Sequence, residues 1–409
     1  MENVYNTTDP QKLLELKKLE SEALLDVLRT INHAELSISQ LCLVARNVLR
    51  AQLGIKKMCF YYESEAGWQE GMRLGFSEMT QEALMEIRNS REISQVTNQQ
   101  HPGLFSIGAE YIIPIDSRGS FNAYFIIADF ADTEVEAQND IIFVETLGNI
   151  LAVAIRNKQL FKEKMRRELL LQELEVAETI QRQLLISDFD RFREIDVYGI
   201  NLPHHHVGGD FYDVIKKGSG TTFVCIADVS GKGIAAALLM SNLQANLRAL
   251  CAQYNDLGII VTELNRLLFK ITSGDKFVTL FITRIETPQK QFAYINAGHN
   301  YPLFIRNHEF SSLDKGCLLL GIMPEVVVEE EILSYEEQDL LFLFTDGVPE
   351  QRDVNDHMFG QERLIDALME VTEQDAHGIV CHIREVLEKY SAKVGWNDDI
   401  TMLALKFVK

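Results

Sequence analysis

Positive charge is what this 409-residue chain is shortest of: 39 Lys and Arg stand against 60 Asp and Glu, for a formal net charge of −21. A surface that neutralises nucleic-acid phosphates needs clustered Lys and Arg in excess, so this balance argues against a nucleic-acid platform and disfavours anionic membranes. It suits a soluble protein able to attract divalent cations, although an acidic surface also serves solubility alone. No stretch reaches the ~18 uninterrupted apolar residues that a membrane span needs. The opening MENVYNTTDPQKLLELKK has no apolar core of the signal-peptide type. The six cysteines, Cys42, Cys59, Cys225, Cys251, Cys317 and Cys381, form no CxxC pair and sit mostly among apolar neighbours. They read as buried free thiols in a reducing cytoplasm. None is followed by arginine at the Cys-x₅-Arg spacing of a phosphocysteine mechanism, and no Walker-type GxxxxGK[ST] is present.

The apolar content of 46% is ordinary for a globular protein, and the length suggests two domains with a connecting element. The clearest divider is the stretch from about Asn157 to Leu185, which has no glycine, no proline and abundant strong helix formers. It reads as one long helix. Phe161, Met165, Leu169, Val176, Ile180 and Leu184 recur along it at steps of about four or seven, a stripe that suits packing on its own domains or a parallel homodimer. The expected organisation is a helical extension over 1–20, a first domain over 21–158, the helical linker over 159–187 and a second domain over 188–409.

In the first domain, Leu13 to Leu53 reads as one or two amphipathic helices, followed by the strand KKMCFYYES and a polar loop around Gly67 and Gly71. Two β-like runs, EYIIPID and NAYFIIADF, flank the turn Ser117–Ser120, and the helix NDIIFVETLGNILAVAIRNK closes the segment. That order resembles a GAF-type sensor domain over roughly Ser21 to Lys158, which implies a small-molecule or protein signal. A PAS domain, or a GAF-like fold that binds nothing, satisfies the same pattern. In the second domain, strands are expected in DVYGINLP, TTFVCIADV, KFVTLFITRIE, QFAYINAG, EVVVEEEIL, DLLFLFTDG and DITMLALKF. Helices are expected in GIAAALLMSNLQANLRALCAQ, in DLGIIVTELNRLLFKI and in a pair between Gln361 and Tyr390. Adjacent strands with short turns favour antiparallel sheets with helices outside, so the chain as a whole is α/β.

Four apolar runs of this domain carry an aspartate at or beside an end: Asp210 in VGGDFYDV, Asp228 in CIADVSGKG, Asp346 in LLFLFTDGV, and Asp398, with Asp399 beside it, in WNDDITMLAL. Alone, VGGDF looks like a cyclic-dinucleotide synthase GG[DE]EF signature that is one acidic residue short. Singly, each aspartate also suits ordinary turn chemistry. Gathered in one domain, several carboxylates are electrostatically costly unless cations neutralise them. Oxygen-only ligands point to Mg²⁺ or Mn²⁺ rather than zinc.

VGGDFYDV, ADVSGKGIAAALLM, INAGHNYP, FTDGVPEQRD and WNDDITML, in this order, resemble the PPM family of metal-dependent Ser/Thr phosphatases in its bacterial SpoIIE/RsbU-type branch. The resemblance spans Ile195 to Lys409, and AETIQRQLL resembles the segment that precedes the catalytic domain there. It implies an α-β-β-α sandwich with antiparallel sheets. It also implies a site of two metal ions: Asp228 bridging, the Val229 carbonyl completing one shell, Asp346 and Asp398 on the other ion, Asp210 in a first or water-mediated shell, and Asp399 a less certain neighbour. Two such cations roughly 3.5–4 Å apart would lower the pKa of a bridging water and clamp the phosphoryl oxygens, so no protein nucleophile is needed. His204, His205 and His206 stand where an acidic residue is expected; a metal-ligand role is the minor reading, and solvated polar loop the plainer one. No arginine is assigned to the substrate phosphate; Lys232 is a candidate whose plainer reading is an exposed charge at a helix start. His299 and Asn300 read as shaping a turn.

The resulting expectation is a signal-regulated phosphoserine/phosphothreonine phosphatase acting on a STAS-type anti-sigma-factor antagonist, with the linker helix moving the strand or helix that carries Asp210 or Asp228 and so completing the metal site. Substitutions at Ile180 or Leu184 are then expected to alter activity with the aspartates intact. Two other readings compete. One is a catalytically silent binding module on a phosphatase fold. The other is a sensor kinase, which needs a phosphoacceptor histidine that Lys158–Leu185 lacks.

Overall fold

Residues 36–116, 122–130, 134–186, 188–189, 192, 194–392 and 395–408 are described by the computed structural model, in which the chain divides into two compact units, Met1–Leu169 and Leu170–Lys409. The helical extension expected over 1–20, the helical segment from Leu13 as far as residue 35 and the turn Ser117–Ser120 lie outside the described residues.

In the first unit, Ser37 and Gln40 form a reciprocal capping box that starts α1 (Ile38–Leu53), and Gly54, in the left-handed region at φ 63, ends it. Next come β1 (Lys57–Ser64) and β2 (Gly67–Leu74). Gly67 and Gly71 thus lie in a strand rather than in the expected polar loop. The two strands form an antiparallel hairpin in which Ser64 faces Gly67. Gly71 marks close packing, because a Cβ there would lie 2.8 Å from both the Cys42 Sγ and the Phe60 ring. The unit continues with α2 (Gln81–Asn89), β3 (Ser94–Gln95), α3 (Pro102–Ser106), β4 (Tyr111–Asp116) and β5 (Asn122–Ala128). The sheet order is β2-β1-β5-β4-β3, antiparallel throughout.

The closing helix and the expected linker helix are one continuous 51-residue helix, α4 (Glu134–Leu184). By length and composition Ala137–Leu184 could cross a membrane. Val144, Leu147, Leu151 and Ile155 of that helix are instead buried against Phe60, Ile113 and Phe125 in the core of the first unit. Further along, Phe161, Met165, Leu169, Val176 and Ile180 are exposed.

The second unit comprises β6 (Ile195–Leu202), β7 (Phe211–Lys217), β8 (Thr221–Val229), α5 (Ile234–Gln253), α6 (Leu257–Thr272), β9 (Val278–Glu286), β10 (Gln291–Ala297), β11 (Leu303–Arg306), β12 (Glu309–Ser312), β13 (Gly316–Cys317), β14 (Glu331–Ser334), β15 (Leu340–Phe344), α7 (Gln361–Met369), α8 (Ala376–Ser391) and β16 (Ile400–Phe407). One sheet runs β13-β10-β9-β8-β7 with β14 also on β10, and the other runs β12-β11-β15-β16-β6. The named pairs are antiparallel, as expected, except β10 with β13. Inner faces of both sheets share one core through Tyr212, Ile226, Phe281, Tyr294, Leu343 and Leu405. The opposite face of the first sheet packs with α5 and α6 through Met240, Leu247, Leu264 and Leu280. That of the second packs with α7 and α8 through Phe342, Leu364, Ile383 and Met402.

Of the expected strand EVVVEEEIL only the end is β-structure, in β14, and Val327 is 93% exposed. β14 occupies the β10 edge at Gln291–Tyr294, while β13 occupies it at Asn296–Ala297. Upstream residues therefore find this β10 edge taken, and Glu329 N bonds instead to Gly316 O of β13. Cys42, Cys59, Cys225 and Cys251 are buried free thiols as expected, whereas Cys317 and Cys381 are only part-buried.

Candidate active site

Sheet pairing brings the aspartates together. Antiparallel register puts Phe211 opposite Ala227, so Asp210, just ahead of β7, lies beside Asp228 at the end of β8. In the other sheet Phe344 faces Met402, which sets Asp346, two residues past β15, near Asp398 and Asp399, just ahead of β16. Three glycines let these ends close up. A Cβ on Gly208 would lie 2.3 Å from Asp399 Oδ2, one on Gly209 2.7 Å from the Val229 carbonyl oxygen, and one on Gly347 2.0 Å from the Asp399 carbonyl oxygen.

The two sheets are stitched together at Asp210, whose Oδ2 accepts hydrogen bonds from Thr345 Oγ1 at 2.6 Å and Thr401 Oγ1 at 2.9 Å. Asn201 Nδ2 donates to the Asp210 carbonyl and to Thr401 Oγ1. Asp399 spends both carboxylate oxygens on the preceding loop, accepting from His204 N at 2.8 Å and Gly209 N at 3.0 Å. Asp398 accepts from Asp399 N through Oδ1 and from Lys232 Nζ through Oδ2 at 2.7 Å.

The electrostatics are those of buried acids crowded by one another. Burial raises the Asp210 carboxyl well above the usual range, and the neighbouring Asp228 charge adds to it. Asp228 is raised, chiefly by burial; a hydrogen bond with Asp210 opposes this, while Asp398 and Asp399 reinforce it. Asp346 is pushed up to about 6 by burial, then by Asp228, Glu350 and Asp398. Each of these shifts is what a bound cation would reverse. The donor set fits a hard divalent ion, with carboxylates on both sheets and the Val229 carbonyl next to the Cβ-free Gly209. Among the described residues, no group of three or more His, Cys, Asp or Glu side chains is drawn close enough to hold an ion as it stands.

The structure thus gathers Asp210, Asp228, Asp346, Asp398 and Asp399, with the Val229 carbonyl alongside. Sequence reasoning missed the supports Thr345, Thr401 and Asn201, because a lone polar residue beside an apolar strand carries no signal; it singled out the segment AETIQRQLL but not Gln181 within it. Gln181, near the end of α4, donates to Gly208 O at 2.8 Å and accepts from Gly208 N at 3.1 Å. One turn earlier, Glu178 meets His206 Nδ1 at 3.3 Å. In the second unit, therefore, the helix end holds both peptide groups of the residue packed on Asp399.

His299 is buried, and its Nδ1 pairs with Thr279 Oγ1, on the residue opposite Asp228 in the sheet. Its Nε2 makes no full hydrogen bond. Burial pushes the imidazole down to about 4, with the Phe344 carbonyl opposing weakly. Above pH ~6.5 folded and unfolded histidine are both neutral, so the group is indifferent; as pH falls toward 4 only the unfolded form takes the proton, and folding is penalised. Acid melts of metal-free wild type and His299→Gln are expected to diverge over that window, with wild type losing roughly 3 kcal/mol more. Parallel curves would show that the buried imidazole does not set acid stability.

Comparison with known proteins bears on this unit. Residues 218–408 match the model of the stage II sporulation protein E (SpoIIE) family, so Asp228, Asp346, Asp398 and Asp399 fall inside the match and Asp210 just before it. Phosphoserine phosphatase RsbU of Bacillus subtilis is 30% identical over 185 residues, 45% of this chain and 55% of that protein. Protein IcfG of Synechocystis is 27% identical over 264 residues, 57% of this chain and 41% of that one. The chain thus spans about half the length of these curated relatives. Among solved structures, the SiaA-PP2C domain of Pseudomonas aeruginosa superposes with a TM-score of 0.53 at 20% identity, covering 59% of this chain and 98% of that domain. The second unit therefore has a PP2C-type fold.

Proposed function

We propose that the chain is a metal-dependent protein serine/threonine phosphatase of the SpoIIE/RsbU type, built on the PPM α-β-β-α sandwich. The observation that carries this reading is the convergence of Asp210, Asp228, Asp346 and Asp398 from two sheets, with the Asp210, Asp228 and Asp346 carboxyls raised by burial first and by neighbouring carboxylate charge second. The net reaction is hydrolysis: a water oxygen bonds to phosphorus, the bond to the seryl or threonyl oxygen breaks, that oxygen takes up a proton, and inorganic phosphate leaves. Two Mn²⁺ or Mg²⁺ ions would supply the activated water and the charge that steadies the phosphoryl oxygens. Asp228, Asp346, Asp398 and the Val229 carbonyl would hold them. Asp210, fixed by two threonines, orients Asp228, and Asp399 holds the His204–Gly209 loop in place.

The finer assignments belong to the same reading. The substrate is a phosphorylated STAS-type anti-sigma-factor antagonist in a partner-switching pathway of the cytoplasm. The first unit, a five-stranded antiparallel sheet with helices, is the GAF-like sensor of a small-molecule or protein signal. The exposed stripe of α4 is the contact of a homodimer, and Gln181 is where movement of that helix reaches the site.

The test is phosphate release from a generic phosphoester by the full-length protein with Mn²⁺, with Mg²⁺ and with chelator. Turnover in either metal that chelator abolishes is the expected result. Metal-replete protein that binds a phosphoprotein without releasing phosphate would instead point to a silent docking module.

A further inference from the structure

Lys232 faces the aspartate cluster from the loop that leads into α5. Its ammonium donates to Asp398 Oδ2 at 2.7 Å, and the charges of Asp399 and Asp346 also act on it. Asp398 Oδ1 is engaged by the Asp399 amide, so the oxygen that Lys232 holds is the one this carboxylate has left for a cation. The pair is half exposed, with side-chain accessibilities of 54% for the lysine and 42% for the aspartate. Such pairs are weak and easily exchanged. Lys232 also stands between Gly231 at φ 101 and Gly233 at φ 72, two positions in the left-handed region where glycine moves most freely.

A second requirement comes from the substrate side. A phosphoryl dianion entering a cluster of carboxylates, on a chain of net charge −21, meets repulsion that some cation must offset. Lys232 is the basic side chain that ion-pairs with this cluster among the described residues.

We propose that Lys232 changes partner: it holds Asp398 while the site lacks a metal and, once a divalent cation has taken that carboxylate, turns to a phosphoryl oxygen of the substrate. This rests on the phosphatase reading above. A lysine at this point serves as a point charge with three donors, free to swing on a flexible stem. In the metal-free protein it offsets part of the charge of the cluster. In the loaded protein the same ammonium, no longer needed by Asp398, recognises phosphate. Lys276, whose Nζ lies 2.8 Å from where a Gly231 Cβ would be, is the internal comparison: it is a lysine at the same loop that makes no bond to Asp398.

The test uses full-length wild type, Lys232→Met, Lys232→Arg and Lys276→Met, titrated calorimetrically first with Mn²⁺ and then, in saturating Mn²⁺, with inorganic phosphate. Lys232→Met is expected to bind Mn²⁺ about threefold to fivefold more tightly, because its competitor is gone. The same variant should bind phosphate roughly tenfold or more weakly, the loss of one charge-assisted contact. Lys232→Arg should stay near wild type in both titrations, and Lys276→Met within about twofold of it in the Mn²⁺ titration. Equal Mn²⁺ and phosphate affinities in wild type and Lys232→Met overturn the exchange, as does a shift of equal size in Lys276→Met. Wild type that binds Mn²⁺ and phosphate with the expected Lys232 dependence, yet releases no phosphate from a phosphoester, upholds the exchange and sinks the phosphatase reading instead.

Discussion

Asp228→Asn is expected to lower metal-dependent phosphate release by roughly 10³-fold or more, about 4 kcal/mol of transition-state stabilisation. Asparagine keeps the size of the side chain and removes the charge that both ions would share. The same substitution should do the opposite to the metal-free protein. Asp228 is raised by burial and by the Asp398 and Asp399 charges, so its ionised form destabilises the folded state. The sign follows from linkage: a carboxyl whose folded pKa is raised contributes stability that is present at low pH and lost as pH rises through the folded value. At neutral pH the neutral asparagine avoids that loss, and metal-free Asp228→Asn should melt at or above wild type. Adding Mn²⁺ should then raise the melting temperature of wild type and leave the variant unmoved. A variant that melts lower without metal would show that the carboxylate serves folding rather than ion binding.

Arg248→Met is expected to cost the second unit roughly 2–4 kcal/mol, the largest effect on stability from a position that touches no candidate ligand. Asp213 is fully buried, and Arg248 reaches it with Nε at 2.5 Å and Nη2 at 3.1 Å. Gln244 Nε2 and the Val214 amide complete the shell. Removing the guanidinium leaves a buried carboxylate with amides alone, which is costlier than never having built the pair. Because Arg248 is itself 45% exposed, water will recover part of the loss. Urea unfolding reads this as a lower midpoint for the second unit, and Asp213→Asn combined with Arg248→Met should regain most of it. If the double variant is no better than the single one, the cost lies in lost packing of the arginine stem.

What was legible in the sequence follows the reach of each physical signal. Continuous apolar runs such as LLFLF and FVCIA announce buried strands, and the helices from Ile234 and Leu257 were plain from period and composition. Aspartates beside those strands were visible as turn chemistry, and their number raised the metal question. Gly71 misled because a glycine that admits a neighbouring ring looks, in one dimension, like a glycine that makes a loop. EVVVEEEIL misled because β-propensity cannot report whether a sheet edge is vacant. Thr345 and Thr401 could not be found at all, and for Gln181 only its segment AETIQRQLL stood out. Thr345 and Thr401 reach Asp210 across 135 and 191 residues of chain, and Gln181 reaches Gly208 across 27, so no local pattern encodes them.

The shared edge of β10 also bears on how this domain can change over time. The chain leaves that edge at β13 and returns to it at β14; in between, Leu320 bridges Val278, Asn265 holds Gly321, Met323 and Pro324, and Glu329 N donates to Gly316 O, so the stretch from Glu325 to Val328 is the short loop left between these anchors. Lengthening a loop that is already closed costs little, about 0.6 kcal/mol for each doubling. Insertions there would leave the sheet register and the aspartates undisturbed. With Val327 93% exposed, it is a place where an added segment, a reporter peptide or a new recognition element would be accommodated at low cost to the fold.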